Sequence, residues 1–201
     1  MSLRATRERT VKIKNKMLSA KEIASTAIFV AILTVSQVIL SAINGIELVT
    51  VLLAGFAFGC GLRRGFLAVN IFIVIRTVLF GFYPSIMILY FSYYNLFVLV
   101  MGLIGRRARH DLETRSFAIS LVAVIVLVLA FTVLDDIITP LYYGLDWNTT
   151  KGYWIMSLTA IIPQEICAVL TMPLLFPIIV KTLNRHTNRK ETRALNEYRT
   201  F

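Results

Sequence analysis

The chain has 201 residues, 57% of them hydrophobic, with a mean hydropathy of +0.74 and a formal net charge of +10. A soluble domain of this length would carry more polar surface, and the apolar runs are continuous rather than alternating, which excludes a membrane β-barrel. The expected class is an all-α membrane protein; the positive charge is gathered in particular segments, so it marks topology rather than a nucleic-acid partner.

Residues 1–19 form a basic arm without apolar periodicity, and 20–180 form one membrane domain. Crossing a hydrocarbon core of ~30 Å takes roughly 17–25 helical residues. Six spans are predicted, at 20–42, 46–61, 65–82, 84–104, 117–139 and 154–180. The second is short for a crossing. Span 1 carries Ala20, Ala24, Ala27, Ala31 and Thr34 at helical spacing, a stripe of small side chains that lets another helix approach closely. That helix belongs either to this chain or to a separate membrane subunit. Ser41–Gly45 and Gly81–Ser85 read as tight turns. Gly105–Ser116 reads as a short basic loop, and Pro140–Tyr153 as the longest loop of the opposite side. Its aromatic residues are either interfacial anchors or a lid over a pocket. Residues 181–201 form a basic tail.

In a six-span arrangement, 19 of the 21 lysines and arginines fall on one side. They lie in the arm and at Lys21, at Arg63 and Arg64, between Arg106 and Arg115, and in the tail. The positive-inside rule puts both termini in the cytoplasm. The first span follows its basic start without a small-residue cleavage site and is expected to remain. Cys60 and Cys167 fall at different depths and are not expected to pair. Both histidines lie in cytoplasmic segments, and no metal or cofactor site is expected.

The most informative residues are charges inside the apolar spans, because ionisable groups in lipid persist where they have a partner, a cavity or a task. Glu47, Arg76, Asp135, Asp136 and Glu165 all fall between the midplane and the face opposite the basic segments. Four acids and one base do not all pair off. Tyr90, Tyr94, Asn95, Trp147 and Gln164 add hydrogen-bonding and aromatic surface at similar depth, and Pro163 loosens the backbone beside Gln164. Aromatic walls with a few placed polar groups describe a small-molecule pocket. Arg76, with its planar fork, suits a carboxylate or phosphate, or else an internal salt bridge. No Ser-His-Asp set, H-E-x-x-H pair, Walker motif or Gly-rich phosphate loop is found, so catalysis is not expected.

The Ala27-x-x-x-Ala31 pair in the first span, the stretch Asn44-Gly45-Ile46-Glu47-Leu48-Val49-Thr50, and Arg63-Arg64-Gly65 after a Gly-rich second span together resemble the substrate-binding S components of energy-coupling factor vitamin transporters. The resemblance covers nearly the whole chain. It implies a multi-pass protein of the prokaryotic plasma membrane that captures a water-soluble vitamin from outside. It further implies docking through Ala24, Ala27 and Ala31 onto a transmembrane scaffold subunit powered by two ATPase subunits. Two other readings stand beside it: a small ion-coupled secondary transporter using Glu165 and Asp135, and a membrane sensor without transport. Arg76 would favour an anionic vitamin, the acids and aromatics would equally suit a cationic or neutral ring system, and the identity and size of the ligand are not encoded in any motif of the sequence.

Overall fold

The computed structural model describes residues 18–43 and 46–199, the side chains of 185–199 excepted. The basic arm and Asn44-Gly45 of the motif above lie outside the described residues. Among the described residues the chain forms six helices and no strand. They are α1 Ala20–Leu40, α2 Val49–Cys60, α3 Leu62–Phe80, α4 Pro84–Arg107, α5 Thr114–Tyr143 and α6 Trp147–Arg199.

Among the described residues, α1, α4, α5 and the Trp147–Asn184 part of α6 are long and apolar enough to cross a membrane. Their outward faces are apolar, with Ile28 64%, Val122 61% and Leu174 66% exposed. Surface of that kind requires lipid or another apolar partner. The 19-residue α3 carries Arg63, Arg64 and Arg76, which dilutes its apolar character.

α2 is the core of the fold. Its 12 residues span only about 18 Å at 1.5 Å per residue, and every residue from Val49 to Phe58 except Leu52 is buried. It packs mainly on α6 and α4, with α3 and α1 beyond. Small residues allow the close approach. A β-carbon at Gly105 of α4 would fall against the backbone of Phe58. α2 ends at Gly61, whose φ of +79° favours glycine, and α3 starts at the next residue. Arg63 and Arg64, expected in a loop, therefore lie in the first turn of α3.

α1 begins with a capping box: the Glu22 N–H donates to Ser19 Oγ, and the Ser19 N–H donates to Glu22 Oε2 at 2.8 Å. Its inner face is Thr26, Phe29, Val30 and Leu33, spaced as one helical stripe. Phe29 stacks on Phe56 of α2 with centroids 4.0 Å apart. Arg64 of α3 donates to Ser25 Oγ at 2.6 Å and lies over the Phe56 ring. These contacts fix the rotation of α1.

The expected Pro140–Tyr153 loop is mostly helix. α5 runs through Pro140 to Tyr143, α6 starts at Trp147, and only residues 144–146 connect them. Proline cannot donate to the carbonyl four residues back. That carbonyl, of Asp136, accepts the Trp154 indole N–H of α6 at 3.0 Å instead. The neighbouring helix repairs the break, so the proline does not end α5. Gly144 in the left-handed region closes α5, and Asp146 caps α6 by accepting the Asn148 N–H at 3.0 Å. The tail expected after residue 180 continues α6 as helix to Arg199.

Candidate functional site

The two ends of the bundle differ in chemistry. At one end Arg64 meets Ser25, His110 Nδ1 bonds the Phe58 carbonyl, and Asn184 Nδ2 donates to the His110 carbonyl at 2.5 Å. Arg63, Arg106, Arg107, Arg109 and Arg115 are exposed there. Arg109 and His110 both have positive φ, 51° and 60°, so this turn is held against its backbone preference by the histidine's bond to the end of α2.

At the other end lies a cavity of about 170 Å³. α1 contributes Gln37 and Leu40, and the segment before α2 contributes Ile46 and Glu47. α4 contributes Tyr90, Tyr93 and Tyr94, α5 Phe131 and α6 Gln164. A second hollow of about 310 Å³ shares Tyr90 and Phe131 and extends to Asp135, Thr139 and Tyr153.

The aromatic wall forms because positions 90, 93, 94 and 97 share one face of α4. The rings make a closed circuit. Tyr90 meets Tyr94 at 5.2 Å, Tyr94 meets Tyr93 at 5.1 Å, Tyr93 meets Phe131 at 4.8 Å, and Phe131 meets Tyr90 at 6.0 Å. Glu47 is anchored just before α2. Its carboxylate Oε1 accepts the Thr50 hydroxyl, and its carbonyl accepts the Cys167 thiol at 3.2 Å.

The fold thus gathers Glu47, Tyr90, Tyr94 and Gln164 around one cavity and sets Asp135 in its neighbour. The other residues singled out from the sequence have different surroundings. Arg76 lies over the rings of Tyr90, at 4.1 Å, and Phe80, at 5.3 Å, and its buried Nε has no hydrogen-bond partner. Among the described residues, rings rather than an acid meet its charge. Asn95 donates to and accepts from Asn70 of α3 at 3.4 and 3.0 Å, an amide clasp between α3 and α4. Asp135 and Asp136 join α5 to α6. Tyr153 donates to Asp135 at 2.6 Å and Ser157 to Asp136 at 2.9 Å. Trp147 is 61% exposed, against Trp154 and under the Lys151 ammonium, as an interfacial anchor would be. Both carboxylate oxygens of Glu165 are buried without a hydrogen-bond partner among the described residues.

Tyr93, Gln37 and Phe131 complete the wall and were not singled out as ligand residues. The spacing of Tyr93 three residues after Tyr90 is a signal for it, and Gln37 is a lone amide late in an apolar span. Phe131 has no signal of its own. Outside the spans, Asp146 is held below the usual carboxylate range by the Thr149 hydroxyl, then by the N–H groups of Thr149 and Asn148. These bonds cap the helix. Ala24, Ala27 and Ala31 are all exposed. At 3.6 residues per turn they sit roughly 140° around α1 from its buried stripe.

No protein-family model, curated protein or solved structure matches this chain.

Proposed function

We propose that this chain is the substrate-capture subunit of an energy-coupling factor importer in a prokaryotic plasma membrane, with both termini inside and six passes, the short α2 making its pass enclosed by the other helices rather than by lipid. The observation that carries this is the tyrosine-walled cavity with Glu47, at the end of the bundle opposite the exposed arginines Arg63, Arg106, Arg107, Arg109 and Arg115. Under the positive-inside rule that end faces outward, where a nutrient is captured. A volume of about 170 Å³ lies below the roughly 300–1,000 Å³ of pockets for drug-sized ligands. That volume favours a small vitamin or related micronutrient over one as large as cobalamin.

The exposed alanine stripe supports docking onto a transmembrane scaffold. Small side chains let backbones approach closely where van der Waals contact drives association, and no helix of this chain covers the stripe among the described residues. Two ATPase subunits on the scaffold supply the energy, and the chain itself performs no catalysis. Co-purification tests the assignment: scaffold and ATPase subunits accompany the tagged chain. Ala27→Trp abolishes both that association and uptake, while ligand binding to the isolated chain persists. Loss of binding along with docking would assign the stripe to the chain's own packing. The buried carboxylate of Glu165 favours a second reading, a proton-coupled transporter. Uptake by the chain alone in liposomes, driven by a pH gradient, would establish that reading and remove the first.

A further inference from the structure

We infer that the cavity selects a small organic cation, held between the aromatic wall of α4 and α5 and the Glu47 carboxylate. The biological role of that ligand rests on the capture reading above; its charge is argued from the cavity itself. Among the described residues, Glu47 is the one charged residue lining the cavity, and no lysine or arginine lines it. Thr50 engages Oε1 and leaves Oε2 for a ligand. A carboxylate taken out of water is costly unless paired. Among the described residues no basic side chain of the lining pairs it, so a cationic ligand would supply the charge that keeps this carboxylate ionised.

The wall suits the same charge. Ring faces carry negative potential and attract ammonium or guanidinium groups. The fold already uses one of these rings in that way, because the Arg76 guanidinium lies 4.1 Å from the centroid of Tyr90. Arg76 is not part of the cavity lining, so it offers no fork to a carboxylate or phosphate there. Arg76, outside the lining, repels a bound cation from farther away than Glu47, which lines the cavity, attracts it, and Coulomb energies fall with distance. Gln37, Gln164 and the tyrosine hydroxyls remain to orient polar groups on the ligand.

Matched pairs of probes that differ only in charge provide the test. Choline is compared with 3,3-dimethylbutan-1-ol, in which carbon replaces the quaternary nitrogen, and N-methylpyridinium with toluene. Benzoate serves as the anion. Binding is measured by calorimetry and ligand-induced thermal shift on the full chain in lipid nanodiscs. The expected result is at least tenfold tighter binding for one cation over its neutral partner, with benzoate weakest. Glu47→Gln preserves an acceptor for Thr50 and removes the charge, so it is expected to erase that preference. Equal affinity within both pairs, preference for benzoate, or no cation binding at millimolar concentration would overturn the inference. The wild-type comparison decides the matter even if the variant fails to fold. ATPase subunits that still co-purify after such a result would leave the capture reading standing and sink the cation alone.

Discussion

The proline in α5 gives a sharp test of how this bundle holds the walls of its cavity together. Pro140 leaves the Asp136 carbonyl without its helical donor, and Trp154 of α6 supplies one at 3.0 Å. Trp154→Phe keeps the ring and removes the donor. Interhelical hydrogen bonds in membrane proteins contribute on average ~0.6 and at most ~1.7 kcal/mol, and an orphaned acceptor costs about 1–3 kcal/mol. Trp154 is 39% exposed, which favours the lower end; the expected loss is about 1 kcal/mol, a fall in Tm of about 2–4 °C for a chain of this length. Pro140→Ala restores a backbone N–H four residues after Asp136. In that background the Asp136 carbonyl has its helical donor, so Trp154→Phe is expected to cost almost nothing. Thermal unfolding of the four proteins in one detergent, arranged as a double-mutant cycle, measures a coupling of about 1 kcal/mol. A Trp154→Phe penalty of the same size in both backgrounds would refute the reasoning and assign Trp154 to packing.

Three further outcomes are expected. Asp146 has a folded-state pKa below its unfolded one, so its cap is fully stabilising above pH ~3.9 and is lost as the pH falls through the depressed value. The Tm difference between wild type and Asp146→Ala should therefore narrow on acidification from pH 6; a constant gap would contradict the carboxylate cap. Asn95→Leu removes the donor to Asn70 Oδ1, while Asn70 Nδ2 keeps the Phe66 carbonyl, and should cost about 1 kcal/mol, part of which Asn70→Leu in the same chain recovers. Urea or thermal unfolding of the three variants reports this, and ligand affinity should stay unchanged because Asn95 does not line the cavity. Arg76→Gln is expected to leave cation affinity undiminished in calorimetric titration; a tenfold loss would show that the guanidinium meets the ligand.

Much of the architecture is legible in the chain because its signals are local. Continuous apolar runs give helices wherever lipid leaves the backbone no other donor or acceptor. Gly61, Gly81 and Gly144 fall where helices stop, Pro84 is at the start of α4, and Ser19 with Glu22 forms a capping box. The exception is instructive. Pro140 and the aromatic, polar residues after it read as a loop, but a donor 14 residues away rescues the helix. A contact of that kind has no local trace. The same limit applies to the site. Depth follows from residue counting, so Glu47, Tyr90, Tyr94 and Gln164 are recognisable as neighbours in height. Rotation about each helix axis is set by packing, so Asn95 turns to Asn70 and Arg76 lies against Tyr90.

The sequence by itself determined the helical class, the gathering of basic residues toward one end and the level of the polar groups, because each depends on composition and on 1.5 Å of rise per residue. Only the tertiary structure decided which of those groups share a cavity. Among the described residues it left Glu47 as the one charge in the lining, put Tyr93 beside Tyr90 and Tyr94, and turned the alanine stripe of α1 outward. The physical reason is that helix rotation is a property of pairs of surfaces. The stacking of Phe29 on Phe56 and the clasp of Arg64 on Ser25 fix α1 across 27 and 39 residues of chain, and neither helix encodes the contact alone.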